Sequence, residues 1–282
     1  MHVPAALAAC LALAALPLLA APAAAADREC RHARSESLAL DLGDARAVVF
    51  HVGASRLRLD GRPGRDGRLE GRACASSEDG LGRLRLEQAR EGDTLVVRLR
   101  REDGPSSWFR ANRYAYFDLS GTVPDGIPVT LAVGSGDAWA TGLSALDLTV
   151  GSGDADARRI RGNVDARVGS GDITVADAGG LHLQSVGSGD VEARGIRGDA
   201  RVGSIGSGDV ELRDVSGSVA VGSLGSGDLD LAGVRGSVTI DSVGSGDVDV
   251  RDVGGDLRVR SVGSGSVDHE GIGGQVALPR KR

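Results

Sequence analysis

Gly206-Ser207-Gly208-Asp209-Val210-Glu211-Leu212-Arg213-Asp214-Val215-Ser216-Gly217-Ser218-Val219-Ala220-Val221-Gly222-Ser223-Leu224 runs straight into Gly225-Ser226-Gly227-Asp228, where the same grammar starts again. Val210 with Leu212, and Val219 with Val221, alternate as short strands with one buried face do, and Val215 and Leu224 stand at corners. Each unit is therefore two similar halves, a strand and a corner apiece. The corner glycines, Gly206 and Gly208 in one turn and Gly217 in the other, are expected to supply the positive φ that tight turns demand.

Outward from this unit, Gly-Ser-Gly-Asp begins at Gly134, Gly151, Gly169, Gly187, Gly206, Gly225 and Gly244, and a Gly-Ser-Gly-Ser variant begins at Gly263; the spacings are 17, 18 and 18, then 19 residues. A fixed period of this length marks a repeat architecture. Two short strands per period are too few for a propeller blade. One coil cannot bury enough apolar surface to offset the ordering of its backbone, so stability must come from stacking. The expected fold is all-β: a single-stranded parallel β-solenoid of about eight coils of 17–19 residues over 132–279, preceded by an irregular β-rich N-terminal capping region over 27–131. No Phe, Trp or Tyr follows Ala140, as suits a narrow interior of Val, Leu, Ile and Ala. The last unit puts Ser266 in place of Asp and brings His269 and Pro279 before the basic tail 280–282, which reads as a cap on an open edge.

Upstream, strands are expected at about 46–52, 55–60, 82–87, 94–100, 114–119 and 129–133. Five of the seven aromatics fall between Trp108 and Phe117. They read as a plug for the end of the solenoid, with sugar stacking as the rarer alternative. Residues 1–26 contain no Asp, Glu, Lys or Arg and end in Ala23-Ala24-Ala25-Ala26, as expected of a secretory signal peptide. Its removal takes Cys10 away and leaves Cys30 and Cys74 as an even pair bound for an oxidising compartment, where a disulfide is the natural reading. No integral membrane segment is expected after cleavage, and the location is exported: periplasm, cell surface or medium.

Residues 132–279 carry 12 Arg against 22 acids, which argues against a nucleic-acid partner. Stacking places Asp137, Asp154, Asp172, Asp190, Asp209, Asp228 and Asp247 in one row at about 4.8 Å. Like charges at that spacing need an offset. The first candidate is capping, each carboxylate accepting amides of its own turn; the alternative is calcium held by these carboxylates. Ser185, Ser204, Ser223, Ser242 and Ser261 make a hydroxyl row expected to satisfy turn backbone. There is no nucleophile elbow, no zincin motif and no phosphate loop, and the single lysine is Lys281. His32, His51, His182 and His269 lack ligand spacing. No catalytic residue and no cofactor site is assigned.

Val123-Pro124-Asp125-Gly126-Ile127-Pro128-Val129, then Val133-Gly134-Ser135-Gly136-Asp137 and the repeated Val-Gly-Ser-Gly-Asp-Val, resemble the bacterial putative adhesin domains of unknown function that include the head GIN domain. The resemblance covers roughly residues 40–275 and implies an exported β-solenoid. The resulting expectation is a non-enzymatic envelope protein, an adhesin or scaffold for a surface or envelope glycan or protein. The alternatives are a carboxylate-based polysaccharide-active enzyme and a calcium-dependent module.

Overall fold

A computed structural model describes residues 30–102 and 114–280. The signal segment and residues 108–113 of the aromatic run lie outside these. The described chain is almost entirely strand, and parallel pairing runs coil to coil on two faces. On the first face, the strand before each Gly-Ser-Gly-Asp corner stacks on its predecessor, as Val129–Val133, Leu146–Val150 and later Ala200–Ile205, Val219–Leu224 and Val238–Val243 do. On the second face the strands after the corner stack likewise: Val191–Ile196, Val210–Val215, Leu229–Val234 and Val248–Val253. The solenoid of about eight turns is thus as expected, and the Val, Leu, Ile and Ala of both faces meet in one continuous core.

Hydrogen bonding does not stop at the corners. The first glycine of each motif donates its N–H to the corner residue of the coil before, as in Gly206 to Val186 and Gly225 to Ile205 (2.8 Å each). The motif serine donates to the preceding first glycine, as in Ser207 to Gly187 and Ser226 to Gly206 (2.8 Å each). The turn backbone, a liability in most loops, is therefore satisfied by the next copy of itself.

The motif glycines have no positive φ, contrary to expectation. Glycine is required there by contact instead. A Cβ on Gly208 would stand 1.9 Å from the carbonyl oxygen of Gly189, and one on Gly153 would stand 1.7 Å from that of Gly136. Positive φ occurs at another row, at the second-face corner, where Asp177, Asp214 and Asp252 (φ 63, 57 and 56) alternate with Gly195, Gly233 and Gly271 (φ 70, 69 and 68).

The capping region differs from the expectation in its path. Ala47–Gly53 and Arg56–Arg62 form a coil in parallel register with the motif coils. Their other edges pair with Thr94–Arg101 and Ala115–Pro124, so the order in space is not the order in sequence. Two strands escaped the sequence reading: His32–Ala39 and Arg68–Ala75, which close the second face by antiparallel pairing. Leu84–Glu91 closes the first face against Thr94–Arg101. It starts later than expected because Ser77 caps a short helix, Glu78–Gly82, by accepting the Gly80 N–H at 3.1 Å.

Side chains tie the two closing edges together. Arg34 donates to the Leu84 carbonyl at 3.2 Å and Gln88 to that of Ala39 at 3.0 Å. Arg90 reaches the Leu42 carbonyl at 2.5 Å and Asp44, whose carboxyl it holds below its ordinary value. The Cys30–Cys74 disulfide pins the start of this lid, with Cα atoms 5.3 Å apart. Of the aromatic run, Phe117 is buried in the core, and Tyr116 lies under Arg56 at 5.4 Å.

At the far end, Val267–Ile272 bears His269 where the preceding coil buries Val250. The final strand is Val276–Ala277 alone, followed by Pro279. Outward Asp268 and Glu270 add charge to this edge.

Gly208→Ala forces the stacked corners apart and is expected to lower stability by about 3 kcal/mol or more. Gly126→Ala, with nothing within 4 Å and no positive φ, stays within about 0.5 kcal/mol; paired urea melts compare the two. Reduction of Cys30–Cys74, which closes a separation of 44 residues, removes about 4 kcal/mol on the chain-entropy estimate. Hydrogen exchange in the reduced protein should then rise in residues 30–75 first, with coils 187–259 still protected.

Candidate binding face

The Asp row forms as the repeat dictates, but its hydrogen bonds go elsewhere than expected. From Asp172 onward each carboxylate accepts from the next coil and not from its own turn. Asp172 Oδ1 takes the Asp190 N–H (3.0 Å), Asp190 that of Asp209 (3.0 Å), Asp209 that of Asp228 (2.8 Å), and Asp228 that of Asp247 (3.1 Å). Asp247 ends the row by accepting both the N–H and the Oγ–H of Ser266 at 2.9 Å. The row is a continuous amide staple between coils, which offsets its own like-charge repulsion. Asp137 and Asp154 precede it: Asp137 pairs with Arg56 at 3.4 Å, and Asp154 makes no side-chain bond among the described residues.

A second staple at the opposite corner was not foreseen. Asp199 accepts the Ser218 N–H (3.0 Å), Ser218 that of Ser237 (3.2 Å), Ser237 that of Asp256 (3.1 Å), and Asp256 that of Gln275 (2.8 Å). The sequence signal was present in the residue after each second-turn glycine, Asp199, Ser218, Ser237 and Asp256, all short acceptors. Of the expected hydroxyl row, Ser261 donates to the Asp241 carbonyl at 3.1 Å and Ser242 to that of Gly222 at 3.5 Å. No three His, Cys, Asp or Glu side chains gather with metal-binding geometry among the described residues.

Outward residues of the second face fall into two further rows. Trp139, Asp156, Thr174, Glu192, Glu211, Asp230 and Asp249 stand in register. Beside them run Thr141, Arg158, Ala176, Arg194, Arg213, Ala232 and Arg251. Acid and base neutralise each other across the rows: Arg158 grips Asp156 at 2.6 and 2.5 Å, and Arg213 and Arg251 bond Glu211 and Asp249. Exposed pairs of this kind contribute little to stability. Their effect is to make a flat, zwitterionic surface.

Two recesses open on this face. One, of about 200 Å³, is lined by Ala138, Trp139, Asp154, Ala155, Asp156, Asp172 and Thr174. The other, of about 270 Å³, extends from Thr174 past Glu192 and Arg194 to Glu211 and Arg213. Trp139 was passed over in the sequence. What marks it is position: its register partners in every later coil are acids or Thr. Arg58 lies 4.2 Å from the centre of its ring and is held by Asp118 at 3.0 Å. The aromatic-face cation contact is thus already realised once within the chain.

Solved structures share this architecture. One described as a "putative lipid binding protein" from Parabacteroides distasonis is 18% identical, with a TM-score of 0.52, and the match covers 86% of this chain and 97% of that one. A "putative adhesin" from the same species is 12% identical, with a TM-score of 0.53, over 85% of this chain and 97% of that one. At such identities the likeness concerns the fold. No curated protein matches the sequence. Residues 91–252, more than half of the chain, match the family described as "Putative auto-transporter adhesin, head GIN domain", with its corner motifs and both stacked faces inside the match, and the chain belongs to that family.

Proposed function

We propose that this is an exported, non-enzymatic envelope protein that works as an adhesin or scaffold, engaging a surface or envelope glycan or protein along its second face. The observation that carries the reading is the regularity of that face. Of its outward acids, Asp156, Glu211 and Asp249 are paired with an arginine two residues on, and the motif acids from Asp172 to Asp247 are stapled to the next coil, so the face offers contacts repeated from coil to coil. Family membership supports adhesion. The disulfide supports an oxidising destination. In this reading 1–26 directs export, 27–131 closes the solenoid, and 132–279 presents the surface.

The Asp row is read as structural. Each Oδ1 from Asp172 to Asp247 accepts an amide of the next coil, which accounts for the row without a bound cation. A cation held only by the folded state must stabilise that state. The melting temperature is therefore expected to be the same with chelator as with millimolar calcium; a rise with calcium would restore the ion. Asp209→Ala should cost about 1 kcal/mol through the orphaned Asp228 amide, and Asp209→Asn, which keeps an acceptor oxygen, less than half of that.

Location is tested with a protease-cleavable tag after Gly64, in an exposed loop with nothing within 4 Å of that residue. Cleavage on intact cells is the outcome expected of an adhesin. Protection until the outer layer is opened would instead make the protein a periplasmic scaffold.

A further inference from the structure

We propose that the two recesses are one track for a linear polysaccharide, and that the Trp139 end selects a sugar bearing a free ammonium group. This deepens the binding reading above and rests on it. Thr174 lines both recesses, so they adjoin along the stack. From the Trp139 row to the Glu211 row is four coil steps, about 19 Å along the stack. A path of that length on an open face suits an extended chain and not a compact metabolite.

The chemistry differs along the track. At the far end two acids, Glu192 and Glu211, share the recess with two arginines, Arg194 and Arg213, of which Arg213 bonds Glu211. At the Trp139 end, Asp156 is neutralised by Arg158, but Asp154 is unpartnered among the described residues, and Asp172 commits only its Oδ1. Two uncompensated carboxylates therefore face an indole in a recess of about 200 Å³. An indole face stacks on the apolar C–H face of a pyranose. Adjacent carboxylates accept its hydroxyls and favour an ammonium substituent over an acetamide. Arg58 already covers one face of this ring, so the sugar stacks on the other and the ammonium preference rests on the carboxylates.

Trp139 is one of only two tryptophans in the chain. Full-length mature protein carrying Trp108→Phe is titrated by calorimetry and by Trp139 fluorescence with a short glucosamine oligomer, its N-acetylated counterpart and a lysine oligopeptide. The glucosamine oligomer should bind about tenfold more tightly than the acetylated one and quench Trp139. Trp139→Ala, and separately Asp154→Asn with Asp172→Asn, should each lower that affinity about tenfold in calorimetry, with an unchanged far-ultraviolet circular dichroism spectrum and a single cooperative melt above the titration temperature as the control for folding. Equal binding of both sugars, unaffected by the Asn substitutions, would overturn the ammonium preference and leave glycan binding standing. Equal or tighter binding of the lysine peptide would overturn the saccharide assignment. Binding of none would overturn the track altogether, whereas the envelope reading stands or falls separately on protease accessibility.

Discussion

The contact on which everything else depends is between two backbones. At the second glycine of each motif, consecutive coils approach so closely that the space for a Cβ is filled by the carbonyl oxygen beneath, at 1.7–1.9 Å for the motif coils. That approach lets the turn amides reach the carbonyls of the preceding corner, and with the corners in register the strands on either side pair without slippage. The coil of residues 47–62, which lacks the motif, shows the rule from the other side. Ser55 occupies the glycine position in the coil of residues 47–62, and Gly136 packs on the Ser55 carbonyl as later glycines pack on glycine. Ser55 itself bears a side chain because what lies beyond it is not another motif corner. Its Oγ instead accepts the Phe117 N–H at 3.1 Å. Glycine is demanded wherever a corner packs on the carbonyl of the corner beneath it.

This explains what was legible in the sequence. The period, the paired halves of each unit and the inward Val and Leu positions follow from a constraint that acts on every coil, so the repeat records it. The reason for the glycines could not be read, because a dihedral requirement and a contact requirement leave the same letter. The partners of the Asp row were hidden for a related reason: an acceptor serving an amide 19 residues away leaves no local signature, whereas an acceptor serving its own turn would look identical. The order of the capping strands was hidden because residues 47–62 are used on both edges, by 94–101 and 115–124 on one side and 129–141 on the other, and nothing periodic marks that insertion.

The same logic bears on function. A solenoid multiplies whatever its repeat carries, so a charge placed in one coil becomes a row. Rows are poor discriminators by themselves, since each rung offers the same chemistry as the next. Specificity must come from places where a rung departs from its row. On the second face the departure is at Trp139, Thr174 and the unpaired Asp154, the rungs that also border a recess. A sequence reading that looks for the repeat is drawn to what is constant, and therefore looks past them.

The positive-φ row shows why constancy itself must be divided. Asp177, Asp214 and Asp252 alternate with Gly195, Gly233 and Gly271, and a Cβ on each of those glycines would stand 2.8–3.2 Å from an oxygen of the Asp one coil earlier. An Asp tolerates the left-handed conformation because its short polar side chain can bond locally. Its carboxylate then occupies the space above, and the next coil must have glycine there. The glycine in turn leaves room for another Asp. From Asp177 onward the packing period of this row is thus two coils, although the backbone repeats every one; the coil before Asp177 has Arg159 there, also at positive φ (53). These acids answer to the chain above them, as do those of the two staples. Once the stapled, alternating and arginine-paired acids are set aside, few remain on the second face whose presence packing does not explain, and Asp154 beside Trp139 is the first of them.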